Sequence, residues 1–176
     1  MSDLTLLETD RLVLSGWTLD QIDDLVRLHG DPNVSRYLSV SGAPWTQDQA
    51  RTAIEGWIAL FQSRRLGKLR VTRKSDGAFI GRAGYGIYTP TGEPEIGFAF
   101  FADQQGQGYA TEAASALRDW MFRETDAPHF IGFADTRNAP SLAVLRKIGM
   151  TPTAVEVEPY GLLCQFHTYE RPIAHV

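Results

Sequence analysis

Between residues 9 and 17 (TDRLVLSGW) apolar and polar positions alternate, the period of a half-buried strand. Thr18 followed by Gln21 reads as a capping box, and behind it Ile22, Leu25 and Val26 give a short amphipathic helix that closes near Gly30. The turn-rich stretch 31–44 has room for a short helix around Val34 to Leu38. Thr46 and Gln49 open a second capped helix. Its stripe of Ala50, Ala53, Ile54, Trp57, Ile58 and Phe61 is the firmest helical signal in the first half.

The period then changes. Lys68 to Lys74 and Ala78 to Tyr88 read as two strands joined by the tight turn Ser75-Asp76-Gly77. Glu95 to Ala102 is apolar on both faces and suits a central strand. From Gly108 a helical stripe returns through Ala110, Ala113, Ala114, Leu117, Trp120 and Met121. A strand from His129 to Ala134, a helix from Pro140 to Ile148 and closing strands from Met150 to Val157 and from Leu162 to Glu170 complete the chain. The strand–helix–strand step over 95–134 is long enough for a right-handed parallel crossover, whereas its neighbours form antiparallel hairpins. The order predicts a single α/β domain over residues 1–176, built on a mixed sheet.

Composition narrows the class. The 176 residues are 43% hydrophobic and 22% charged, with 17 basic against 21 acidic side chains. That is globular composition, and the acidic balance argues against a nucleic-acid module, which needs a basic face. The longest nearly apolar run, Ile96 to Ala102, falls far short of the roughly 20 residues that span a bilayer. The first ten residues carry acid where a signal or transit peptide would carry base. One cysteine, Cys164, permits no intrachain disulfide. A cytoplasmic protein without membrane contact is the expectation.

The stretch that carries chemistry is EIGFAFFADQQGQGYATEA, residues 95–113. A buried strand ends in a polar turn with two glycines and runs straight into a strong helix. The first amides of such a helix lack intrahelical partners, and the macrodipole adds partial positive charge, so the junction suits an anion. Gly106 and Gly108 remove side chains that would hold a phosphate away. A P-loop needs Lys-Ser/Thr after the second glycine, where Tyr109-Ala110 stands. A dinucleotide fingerprint needs Gly or Ala at position 111, where Thr111 stands. Neither fits.

Gln105-Gly106-Gln107-Gly108-Tyr109-Ala110 matches Q/R-x-x-G-x-G/A and resembles the acetyl-coenzyme-A pyrophosphate loop of the GNAT superfamily of N-acetyltransferases. Asn138-Ala139-Pro140-Ser141 ahead of Leu145-Arg146-Lys147-Ile148-Gly149-Met150 resembles a segment of the branch containing the ribosomal-protein N-terminal acetyltransferases, as does the opening ETDRLVLSGW. The resemblance covers roughly residues 8–171. Gln105 and Gln107 replace the bulkier or basic residues often found in this loop, and the last loop is followed by an atypical strand.

The resemblance implies a mixed, mostly antiparallel sheet of about seven strands, splayed around a parallel pair and flanked by about four helices. It implies acetyl-CoA as co-substrate, no metal, an amine acceptor as partner and the option of a homodimer. Backbone of Phe98, Ala99 and Phe100 would dock the pantetheine arm, and amides from Gln105 to Ala110 would take the pyrophosphate. Asn138 and Ser141 would contact the cofactor, with Lys147 near its phosphorylated end. Glu95, then Glu93, would serve as proton acceptor, and Ser141 or Tyr160 would return a proton to the thiolate. A lysine side chain costs about 4.6 kcal/mol to deprotonate at pH 7, a terminal α-amine only about 1. For an α-amine, one carboxylate acting through water would suffice, and the resemblance implies a protein or peptide N-terminus as acceptor. A small-molecule amine is the alternative, and a non-catalytic acyl-CoA sensor the competing class. The acceptor would lie between the 31–45 stretch (Arg36, Tyr37, Trp45) and the connection from Glu158 to Leu163.

Plainer roles stand beside these. Asn138 fits a helix N-cap, Glu112 a helix-dipole partner, Lys147 a solvated helix end, and Glu95 an edge-of-sheet charge. Arg64, Arg65, Lys68, Arg70, Arg73 and Lys74 read as a solvated surface. Cys164 and His167 point to opposite faces of a strand and form no metal pair, while His29, His129 and His175 are scattered.

Overall fold

The structure, a computed structural model, describes residues 4–173. Eight strands form one sheet: β1 (Thr5–Glu8), β2 (Leu12–Ser15), β3 (Gly67–Arg73), β4 (Phe79–Tyr88), β5 (Glu93–Phe100), β6 (His129–Asp135), β7 (Thr151–Val157) and β8 (Leu163–Glu170), in the spatial order β1-β2-β3-β4-β5-β6-β8-β7. All neighbours are antiparallel except β5 and β6. Five helices accompany it: α1 (Ile22–Gly30), α2 (Pro32–Ser35), α3 (Gln47–Arg64), α4 (Tyr109–Glu124) and α5 (Ala139–Lys147).

Most boundaries follow the sequence periodicity. Both capping boxes form: Thr18 N–H donates to Gln21 Oε1 (3.1 Å), and Thr46 N–H to Gln49 Oε1 (2.9 Å). The eighth strand is β1, whose four residues pair only with β2 at the sheet's edge. The short helix expected around Val34 to Leu38 starts earlier, at Pro32, because Asp31 caps it by accepting from Asn33 N–H (2.9 Å) and proline suits a first turn.

Helices cover the sheet unevenly. α4 and α5 lie on one face, over a core that includes Leu12, Leu69, Ala83, Tyr85, Ile96, Leu117 and Phe130. α1 and α3 lie on the other, packing Trp17, Leu25, Leu28, Ile54, Trp57 and Phe79 against β3, β4 and Ala99 of β5. Beyond β5 that second face has no helix: an aromatic cluster of Tyr88, Phe133 and Phe166 lies there with Ile131 and Leu162. The β7–β8 connection closes over it, bringing Gly161 against Val40 of the 31–45 stretch.

Lys68 corrects the solvated-surface reading of the basic residues. It is 9% exposed and lies under α3 on the inner face of β3. Lys68 shares its face of the strand with Arg70 and Thr72, so the period gives no signal of burial, and only its ion pair explains it.

Candidate active site

β5 and β6 are joined only at Glu95–Ile131 and Ile96–Gly132. β5 continues to Phe100 on β4, and β6 continues to Asp135 on β8, so the two strands part beyond Ile96. Phe101 N–H reaches Ile80 C=O (3.2 Å). By the alternation of an antiparallel ladder, Ala99 then spends its main-chain groups on β4, and those of Phe98 and Phe100 turn into the gap. One of them is taken: Gln105 Nε2 donates to Phe100 C=O (3.0 Å).

The glycine turn sits at the mouth of this gap. Gly106 (φ 75°) and Gly108 (φ 82°) both hold the left-handed conformation, which costs glycine little. Gly108 is the N-cap of α4 and offers no side chain to its amides. The first helical bond runs from Glu112 N–H to Gly108 C=O (3.0 Å), so the amides of Tyr109, Ala110 and Thr111 precede the ladder. Nothing lies within 4 Å of where a Gly106 Cβ would be. Gln105, Gly106, Gln107 and Gly108 are exposed, whereas the Tyr109 ring is buried in the core. Gln107 Nε2 folds back onto Asp103 C=O (3.1 Å). The turn therefore presents backbone and not side chains, which is what an extended anion requires.

Across the gap, α5 begins where β6 ends. Asn138 Oδ1 accepts from Ser141 N–H (3.3 Å), so the cap role is realised with the amide nitrogen left for other contacts. Ser141 occupies the first turn, and Lys147 stands exposed at the far end of the helix. Tyr160 lies in the β7–β8 turn and is 76% exposed.

Two polar clusters share the sheet face on the α1–α3 side. The first is sealed. Lys68 Nζ donates to Glu95 Oε2 (2.7 Å) and to Glu95 C=O (3.1 Å), lying over Gly97, where any Cβ would stand 2.6 Å from Nζ. Burial lowers the Lys68 ammonium and the Glu95 carboxylate opposes that shift. Next to it Arg82, also buried, donates from Nε to His29 Nε2 (3.0 Å), and Trp45 stacks on the imidazole at 3.7 Å. Burial pushes Arg82 down to about 10 and His29, helped by the Arg82 charge, to about 2.

The second cluster is open. Glu93 Oε1 and His129 Nε2 are 2.7 Å apart, each side chain 30% exposed, and Thr91 Oγ1 donates to the other Glu93 oxygen. The hydroxyl first, and the imidazole second, lower the Glu93 carboxyl. Both residues line a groove of about 340 Å³ with Tyr88, Ile131, Phe166 and Thr168, ahead of the two rungs that join β5 to β6, while the gap opens beyond them. In the sequence His129 stands apart from the other histidines and from Glu93. The parallel register was the missed signal, since Glu93 and His129 each stand two residues before a paired rung. No group of three metal-ligating side chains occurs among the described residues, and no helix there is long and apolar enough to cross a membrane.

The chain is similar to the N-acetyltransferase p20 of Bacillus licheniformis, 28% identical over 81% of this chain and 80% of that one. Its fold superposes on an acetyltransferase of Agrobacterium tumefaciens with a TM-score of 0.79, at 24% identity over 93% of each chain. A further neighbour is the ribosomal L7/L12 alpha-N-protein acetyltransferase RimL in complex with coenzyme A, with a TM-score of 0.78 at 18% identity over 94% of this chain and 97% of that one. The model of the acetyltransferase (GNAT) domain matches residues 11–151, from the start of β2 to the start of β7. A sheet parted beside a glycine-cornered helix entrance lies within that span, and the chain belongs to the GNAT acetyltransferase family.

Proposed function

We propose that the protein moves an acetyl group from acetyl-CoA to a primary amine, and that the acceptor is the α-amine of a protein or peptide. One observation carries the reading: the β5–β6 gap, with main-chain groups of Phe98 and Phe100 turned into it, opens onto a turn whose amides from Gly106 to Thr111 stand ready for a diphosphate. The likeness to RimL, named for acting on a protein α-amine, supports the choice of acceptor. The low cost of deprotonating such an amine, about 1 kcal/mol at pH 7, means a single carboxylate suffices as its base.

Glu93 takes the amine proton, directly or through one water, because its carboxylate faces the groove and His129 can accept or share that proton. Glu95 is engaged by Lys68 and serves as its counter-ion. The freed amine attacks the thioester carbonyl, the carbon–sulfur bond breaks, and the second proton of the attacking nitrogen passes to the thiolate through the Ser141 hydroxyl in the first turn of α5, which ends neutral, with Tyr160 as the second candidate. The acceptor enters between the 31–45 stretch and the β7–β8 connection.

Release of free thiol from acetyl-CoA, measured against panels of peptides and small amines, tests the assignment. Turnover with peptide α-amines is expected. Turnover with small amines only would overturn the acceptor class, and silence across both panels, with acetyl-CoA still bound, would make the protein a sensor instead. Gly108→Val is expected to abolish acetyl-CoA binding in a protein that still folds.

A further inference from the structure

Arg11 and Glu112 are separated by 101 residues and meet at the glycine turn. Arg11 N–H donates to Glu112 Oε1 (3.0 Å), Arg11 Nε to Oε2 (2.7 Å), and Thr9 Oγ1 to Oε1 (2.6 Å). The same guanidinium donates from Nη1 to Gln107 C=O (3.0 Å) and lies 4.4 Å over the Tyr109 ring. Its Nη2 is 3.4 Å from where a Gly108 Cβ would stand. The start of β2 is thereby tied to the first turn of α4 and to the turn itself.

Two features of this junction run against anion binding or leave it loose. The first is a carboxylate, Glu112, one turn inside a helix entrance that would grip an anion; it stabilises the dipole but repels the ligand. Its three donors, with the side chain only 19% exposed, indicate that the charge is spent on holding Arg11. The second is the Gln107–Gly108 peptide. Glycines at 106 and 108 let this unit rotate at little cost. A planar trans peptide points its carbonyl and its N–H in opposite directions, so capturing Gln107 C=O fixes where Gly108 N–H aims.

We propose that Arg11, braced by Glu112, is a positioning residue that holds the turn with its amides presented to the diphosphate of acetyl-CoA. This rests on the reading of residues 105–110 given above. The clasp acts through the turn, and its loss is felt in cofactor affinity and not in the chemical step.

The test uses the full chain and measures acetyl-CoA affinity by calorimetry together with KM and kcat. Arg11→Met is expected to weaken acetyl-CoA about tenfold, as losing charge-assisted hydrogen bonds would, with kcat at saturation within twofold. Arg11→Lys, which keeps the charge but not the fork, should lose nearly as much. It also serves if Arg11→Met fails to fold. Glu112→Gln separates the clasp from a simple charge effect: the clasp predicts weaker binding, whereas relief of repulsion predicts tighter binding. Acetyl-pantetheine, which lacks the diphosphate, should show the same KM with wild type and Arg11→Met. Unchanged acetyl-CoA affinity in both folded Arg11 variants, tighter binding by Glu112→Gln, or an equal KM rise with acetyl-pantetheine would each overturn the clasp. Wild-type affinity in folded Gly108→Val would instead defeat the reading of the turn itself, so the two failures are distinct.

Discussion

Glu95 and Glu93 stand two residues apart on one face of one strand, yet they belong to different chemistries. Glu95 joins a sealed row with Lys68, Arg82 and His29 beneath α1 and α3. Glu93 joins His129 in an open groove where the helical cover ends. Both clusters hold a glutamate and a histidine; the first adds the cations Lys68 and Arg82 and a helical lid. Under a lid a carboxylate is committed to a counter-ion, because an unpaired buried charge is costly. Beside a groove it keeps one side toward solvent and can exchange protons with whatever enters.

Breaking the sealed row should have the largest consequence. Lys68→Met leaves the Glu95 carboxylate, only 16% exposed, without its cation, and denaturant unfolding is expected to show a loss of about 3 kcal/mol. The double variant Lys68→Met/Glu95→Gln should recover much of it. In the open pair, Glu93→Gln should cost less stability, about 1 kcal/mol or under, and lower kcat about a hundredfold, the usual scale for a displaced general base. Its pH–rate profile should lose the limb that wild type shows as Glu93 protonates.

Acid sharpens the contrast further. The His29 pKa falls from 6.5 unfolded to about 2 folded, so below pH 6.5 the unfolded chain binds a proton that the folded chain refuses. Stability is full above that pH and should decline by about 1.4 kcal/mol for each unit beneath it, as measured by denaturation from pH 7 to 5. Burial lowers His167 too, which adds to the slope in the same direction. Glu93 acts in the same direction but in a lower window: its lowered pKa contributes above about 4.5 and is lost as pH falls below that value. The smallest effect is expected from Glu95→Gln, which keeps an oxygen for Lys68; a loss of about 1–2 kcal/mol in stability and a smaller fall in kcat than for Glu93→Gln would fit a structural role.

Much of the fold was legible because local period and local chemistry agree in it. The crossover from β5 through α4 to β6 follows from an apolar strand, a glycine turn and a clean helical stripe. The turn's exposed backbone follows from Gly106 and Gly108 at the entrance of α4. The clusters were not legible in the same way. Lys68 and Glu95 are 27 residues apart, Glu93 and His129 are 36 apart, and Arg11 and Glu112 are 101 apart. Their meetings depend on sheet register, which no local pattern encodes. β1 is silent in the sequence for a related reason: four residues held by one neighbour carry too little alternation to mark a strand.

The two-rung join between β5 and β6 has a consequence for the protein's lifetime. Each leaf of the sheet is internally zipped, but the suture between them is short, so the native state is missing bonds that a threaded molecule can supply. Any such guest acts as a keystone, adding RT ln(1 + [L]/Kd) to the unfolding free energy. Resistance of this chain to unfolding and proteolysis would then rise and fall with the abundance of the guest, making the fold a gauge of its own supply.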